Sequence, residues 1–143
     1  MLIIEASMRN NLLLVVASVL IFKKQILFSK RSNKKSFNNF WELPGGKIEI
    51  DETPEIALTR ELHEELGIIV TDKDLSPLTF ISYSYERFNL LMPIYTCYNW
   101  KGLVQPREGQ ELKWVDRVSI ENLNILPADK EILCILKELI NKD

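Results

Sequence analysis

A chain of 143 residues, 46% apolar and 27% charged, has the makeup of a folded globular protein and not of a disordered or fibrous one. Its formal net charge of -2 excludes a general electrostatic pull on nucleic acid, so a polyanionic substrate must be met by local charge or by metal. Two cysteines, Cys97 and Cys134, stand in apolar surroundings without metal-ligand spacing, which predicts buried free thiols in a reducing compartment.

Residues 1–11 lead into the first apolar run, Leu12–Phe22. That run is shorter than the ~20 residues needed to span a bilayer and is followed at once by Lys23 and Lys24, so a strand buried on both faces explains it. No small-residue cleavage site follows an apolar core near the start, and the cytoplasm is the expected compartment. Gln25–Lys30 is a second apolar run and predicts a hairpin with the first. Arg31–Asn39 reads as a polar, basic loop, either simply solvated or forming a rim that faces phosphate.

Phe40–Lys47 carries the pair Gly45-Gly46, which lets the backbone turn and approach a ligand closely. The stretch after it predicts a helix, with Asp51 as N-cap, Pro54 in the first turn and Gly67 as the stop. Glu61, Glu64 and Glu65 stand in i, i+3, i+4 relation, so their carboxylates share a face, while Leu58, Leu62 and Leu66 form an adjacent apolar stripe. His63 points away from the carboxylates. Like charges at this spacing repel by a few tenths of a kcal/mol per pair, so helix stability gives no reason for the cluster. A hard divalent cation with oxygen ligands does give one. A solvated acidic face is the plain alternative.

Asp72–Pro77 reads as a connection, and Leu78–Glu86 with Asn89–Trp100 as a second hairpin around Arg87-Phe88. Pro93 predicts an edge position or a bulge for the latter strand. Lys101–Gln110 is a loop, Leu112–Val115 a short strand, and Ala128–Ile140 a helix with a wide apolar face behind Pro127. No repeat or linker divides the chain, which predicts one domain over residues 1–143. The aromatics Tyr83, Tyr85, Phe88 and Tyr95 could form a stacking platform for single strands, but alternation in a sheet accounts for them equally well.

The segment Gly45–Ile68 resembles the signature of the Nudix hydrolases at every fixed position: Gly46, Glu52, Arg60, Glu61, Leu62, Glu64, Glu65, Gly67 and Ile68. Similarity extends to Phe28–Arg31, Trp41–Glu49 and Pro127-Ala128 with the last helix. The resemblance implies an α/β (α+β) fold, an αβα sandwich with a curved mixed sheet between helices. It implies a metal site of Glu61, Glu64 and Glu65, joined by the Gly45 carbonyl and by Glu108 in Pro106–Gln110. One of the signature carboxylates, Glu61 or Glu64, would take the proton of the attacking water. Arg60 belongs to the catalytic signature, and an ion pair with Glu64 or Glu52 accounts for it better than direct chemistry. Gly46, Glu52 and Gly67 are implied as structural positions.

Arg31, Glu42, Leu43, Pro44, Gly45, Lys47 and Asp129 would contact the nucleotide. Family members that clean the nucleotide pool carry Asn where this chain has Asp129. An ionised Asp only accepts hydrogen bonds, so Asp129 could donate to an oxidised purine if protonated, accept from ring N–H or amino groups, or read the amino group of cytosine. As N-cap of the last helix it would touch no ligand. The expected activity is a Mg²⁺-dependent nucleoside triphosphate pyrophosphohydrolase, with Mn²⁺ a substitute and 8-oxo-dGTP the substrate. The alternatives are a cleaner of modified pyrimidine triphosphates, a dinucleoside polyphosphate or RNA 5′-end hydrolase, and a catalytically silent nucleotide-binding module. A monomer binding a small nucleotide, with no membrane and no stable nucleic-acid complex, completes the expectation.

Overall fold

The computed structural model describes residues 12–31 and 39–141. Its strands are β1 (Leu12–Phe22), β2 (Gln25–Lys30), β3 (Trp41–Glu42), β4 (Gly45–Lys47), β5 (Leu75–Ser84), β6 (Asn89–Cys97) and β7 (Glu111–Val115), and its helices are α1 (Pro54–Leu66), α2 (Pro127–Lys130) and α3 (Leu133–Leu139). The sheet runs β3-β2-β1-β6-β5, with β4 added to β1 and β7 to β2. β1 pairs in parallel with β6 and antiparallel with β2 and β4, so the sheet is mixed.

Alternation along β1 divides the core into two layers. Val16 and Leu20, with Leu27 of β2, face Ala57, Leu58, Leu62 and Leu66 of α1. Ala17, Val19 and Ile21, with Ile26 and Phe28, face Ala128, Ile132, Leu136 and Ile140. This is the expected αβα arrangement, and it explains why β1 is apolar at nearly every position. Ser18 is the buried exception; its N–H and its Oγ both donate to the Pro44 carbonyl, at 2.9 and 3.2 Å. Pro44 is thereby fixed between the β4 and β2 segments that flank β1. Among the described residues no helix is long and apolar enough to cross a membrane.

Several local expectations need correction. The N-cap of α1 is Thr53, whose hydroxyl accepts from the Ile56 amide at 3.2 Å; Asp51 instead adopts φ 70° in the preceding turn. Pro54 at the first helical position settles that choice, since its ring presets φ and its missing N–H costs no bond there. Gly67 does end the helix, in the left-handed region at φ 74°. Pro93 lies in an interior strand, between β1 and β5. The β1–β6 ladder resumes in the same register after skipping Val15-Val16 opposite Met92-Pro93, so the missing donor falls in that interruption. The final helix is two short ones: Ile132, at φ −109° and ψ 19°, separates α2 from α3. Asp129 is not an N-cap, since Leu126 occupies that position. Cys97 is buried as expected, whereas Cys134 is exposed. The leader 1–11 and most of the basic loop lie outside the described residues.

Candidate active site

Two neighbouring cavities open where β4, the end of β2 and the C-terminal half of α1 meet. One, of about 270 Å³, is lined by Ser29, Arg31, Glu42, Leu43, Pro44, Gly45, Glu61, Glu65, Glu108 and Gln110. The other, of about 330 Å³, is mostly apolar, and its walls include Val15, Tyr85, Phe88, Leu90, Met92 and Asp129. Arg31, Glu42, Leu43 and Gly45 line both.

The double glycine is required by close approach. A Cβ on Gly45 would run into the Val16 carbonyl of β1, and one on Gly46 would overlap the Glu61 carboxylate. Bare backbone therefore presses directly on an acidic side chain of α1. Beneath it, Arg60 organises the signature acids. Its guanidinium donates to both Glu52 oxygens at 2.7 and 2.9 Å, to Glu61 at 2.8 Å and to the Lys47 carbonyl at 3.1 Å. The contact with Glu64 is longer, 3.4 Å. Glu52 is the principal partner, and it also accepts from the Glu49 amide at 2.8 Å, closing the turn ahead of the helix. Arg60 and the Glu49 amide together hold the Glu52 carboxyl down at about 2.

Glu65 is placed differently. Burial, and then the charges of Glu61, Glu108 and Glu42, push its carboxyl up to about 9, only partly offset by hydrogen bonding from the Gly45 backbone. Burial likewise raises Glu61, against the pull of Arg60. Among the described residues no lysine or arginine forms an ion pair with Glu65 or Glu108. Arg31 is taken up by Glu42 and Arg60 by Glu52 and Glu61, so Glu65 and Glu108 crowd together with no cation of their own among the described residues. A hard cation gains most in such a setting, and the acids offer it oxygen donors. As the side chains stand, no three acids among the described residues form a ready ligand group, and Arg60 engages Glu61 and, at longer range, Glu64. Glu64 is half exposed and does not line the cavity, whereas Glu61, Glu65 and Glu108 do. His63 is exposed, away from the site.

Glu108 reaches the site because its loop satisfies the carbonyls that every helix leaves unpaired at its C-terminus. The Gln105 amide donates to the Leu66 carbonyl at 2.9 Å and the Arg107 amide to the Glu65 carbonyl at 3.0 Å. Gln110 and Ser29 line the acidic cavity and the sequence had not singled them out. The Glu-Gly-Gln string was the available signal for Gln110, and the likeness over Phe28–Arg31 was the one for Ser29.

On the other side, Glu42 and Arg31 form a two-point ion pair, at 2.5 and 3.2 Å. Lys47 borders the apolar cavity with its side chain exposed. Asp129 is 1% exposed; its Oδ2 accepts from the Leu43 amide at 2.8 Å, and its Oδ1 has no partner. Burial, with a smaller push from Glu42, raises this carboxyl to about 7 despite the Leu43 bond and nearby Arg31. The Tyr85 hydroxyl accepts from the Ala128 amide at 3.1 Å and fixes α2 beside the cavity.

A mixed sheet between helices, with an Arg-braced acidic helix against a double glycine, defines a Nudix domain, and the chain belongs to that family: residues 12–138 match it. More particularly, it is 32% identical over 115 residues to an 8-oxo-dGTP diphosphatase of Escherichia coli K12, covering 80% of this chain and 88% of that protein. It is 31% identical over 121 residues to the CTP pyrophosphohydrolase of the same organism, covering 83% and 87%. A solved structure from work on MutT of Aliivibrio salmonicida and Vibrio cholerae shares the fold with a TM-score of 0.76 at 28% identity, covering 90% of this chain and 98% of that one.

Proposed function

We propose that the chain is a Mg²⁺-dependent nucleoside triphosphate pyrophosphohydrolase that acts on 8-oxo-dGTP, releasing the nucleoside monophosphate and pyrophosphate. The observation that carries this reading is the pair of adjoining cavities, acidic and apolar, sharing Arg31, Glu42, Leu43 and Gly45. A triphosphate in the first and its base in the second would place the scissile anhydride near the shared wall. Glu61, Glu65 and Glu108, with Glu64 and the Gly45 carbonyl, would hold the cation, and Mn²⁺ would substitute. When bound, that cation supplies positive charge against the phosphate oxygens and acidifies water.

The remaining steps belong to the chain's own side chains. Arg60 keeps Glu61 oriented beneath Gly46, and the Glu61 carboxylate accepts the proton of the attacking water. Apolar walls from Val15, Leu90 and Met92 strip water from the base, and Tyr85 and Phe88 offer aromatic surface to it. Asp129 stands at the base edge. Protonated, its carboxyl donates to an acceptor such as a purine carbonyl; ionised, it accepts from an amino or ring N–H group. The last option favours a second reading, a cleaner of modified cytidine triphosphates, which shares every other feature of the site. The protein would work in the cytoplasm as a monomer on free nucleotides.

Steady-state assays of pyrophosphate release with 8-oxo-dGTP, dGTP and 5-substituted dCTP test the substrate. The expected result is a kcat/KM for 8-oxo-dGTP at least ~10-fold above the other two, the size of roughly one well-placed hydrogen bond. A higher value for the cytidine analogue would establish the second reading instead. Nucleotide binding without turnover in Mg²⁺ or Mn²⁺ would make the domain a silent binding module.

A further inference from the structure

We propose that Gln110 is a positioning residue whose side-chain amide ties the Glu108 turn to the end of α1, so that Glu108 stays in the acidic cavity. The inference rests on the reading of Glu108 as a cation ligand. Glu108 belongs to an exposed turn, and Gly109, at φ 73°, has nothing within 4 Å of where a Cβ would stand. Packing therefore does not hold the tip of this loop. Backbone bonds anchor the loop as far as the Arg107 amide, and beyond it two side-chain hydrogen bonds hold the tip. Gln110 Oε1 accepts from the Glu108 amide at 2.9 Å, and Gln110 Nε2 donates to the Glu65 carbonyl at 3.0 Å.

The left-handed turn at Gly109 is what allows this arrangement, because it reverses the chain and brings the Gln110 side chain back over the Glu108 amide. The Glu65 carbonyl already accepts from the Arg107 amide, so Gln110 adds the second bond to an acceptor that tolerates two. One amide group thus links the backbones of two acids that are 43 positions apart, Glu65 and Glu108. Neither bond uses a carboxylate, and both carboxylates remain available to a ligand. Groups that orient metal ligands in this way typically contribute about 10- to 100-fold to affinity.

The test measures Mn²⁺ binding to the nucleotide-free protein by electron paramagnetic resonance, so that turnover plays no part. Wild type is compared with Gln110→Ala, Gln110→Met, Glu108→Gln and the double variant Glu108→Gln/Gln110→Met. Met keeps the length of the side chain without its hydrogen bonds and controls for packing, and thermal unfolding checks that each variant is folded. Both Gln110 variants are expected to weaken Mn²⁺ binding by about tenfold. The Gln110→Met effect is expected to vanish in the Glu108→Gln background, because the two act as one unit. Wild-type affinity in Gln110→Met, or an undiminished effect of that change in the double variant, would overturn the assignment. Wild-type affinity in Glu108→Gln would remove the reading of Glu108 as a ligand, and this inference with it.

Discussion

Glu65→Gln is expected to lower kcat by about 10²- to 10³-fold, the scale on which loss of one preorganised electrostatic group is felt in an enzyme. The fold is expected to survive. Glu65 is largely buried, and its carboxyl, pushed up to about 9, carries a proton at neutral pH when no cation balances it. Gln has nearly the shape of that protonated form and, like it, offers both a donor and an acceptor. Thermal unfolding of the cation-free protein at pH 7 should therefore be nearly the same for variant and wild type, while the rate collapses. His63→Ala, on the exposed side of α1, serves as the control and should leave kcat within about twofold, since surface changes away from special contacts are nearly neutral. Wild-type turnover in Glu65→Gln would show that the buried acid is not part of the catalytic machinery.

Asp129→Asn should change the pH dependence of stability by several kcal/mol. Burial raises the Asp129 carboxyl from an ordinary 3.8 to about 7, so the folded state keeps a proton that the unfolded chain has already released across that interval. Stability follows the protons bound in the unfolded state minus those bound in the native state; the difference is negative here, and stability falls as pH rises from about 4 to about 7. Integrated over that window the loss is of the order of 4 kcal/mol, and above it no further loss comes from this group. Asn can still accept from the Leu43 amide but has no charge to bury. Urea unfolding at pH 5 and pH 8 reads the effect directly: the drop between the two pH values should be smaller in the variant by a few kcal/mol. Equal drops would mean that Asp129 ionises in the fold at no cost. The same variant should shift the preference between 8-oxo-dGTP and cytidine analogues, because an amide offers the base both a donor and an acceptor at every pH.

Much of this was legible in the residues because the acids, the glycine pair and the helix stops are close in sequence. Fixed helical geometry alone places Glu61, Glu64 and Glu65 on one face, and the Leu58-Leu62-Leu66 stripe says which side of the helix is buried. The division of labour among those acids was not legible. It depends on Arg60, whose partners Glu52, Glu61 and the Lys47 carbonyl surround it only after β4 docks on β1. The setting of Glu108 was likewise closed by contacts with the end of α1, which no local pattern encodes. Pro93 misled for a related reason. Its cost is real in an unbroken ladder, but here the chain leaves the ladder open where the proline lies.

The break at Ile132 was missed because the stretch from Lys130 to Leu139 has helical propensity throughout. Tertiary ties decide instead. Asp129 is bonded to Leu43, Ala128 to the Tyr85 hydroxyl, and Lys137 forms an ion pair with Glu121, so α2 and α3 are held at separate anchor points. Asp51 and Thr53 both suit an N-cap, and the local turn chose between them. At Ile132 a contact made elsewhere in the fold displaced the short-range preference; at the N-cap one local preference displaced another.

The central claim is that the acid-lined cavity takes a divalent cation and the triphosphate together while the apolar cavity takes the base. Crystals grown with Mn²⁺ and a non-hydrolysable 8-oxo-dGTP analogue test it most directly through the anomalous signal of the ion. The account predicts manganese against Glu61, Glu65 and Glu108, with the base between Leu43, Met92 and Asp129. Manganese bound elsewhere, or a base lying outside the pocket that ends at Asp129, would contradict it.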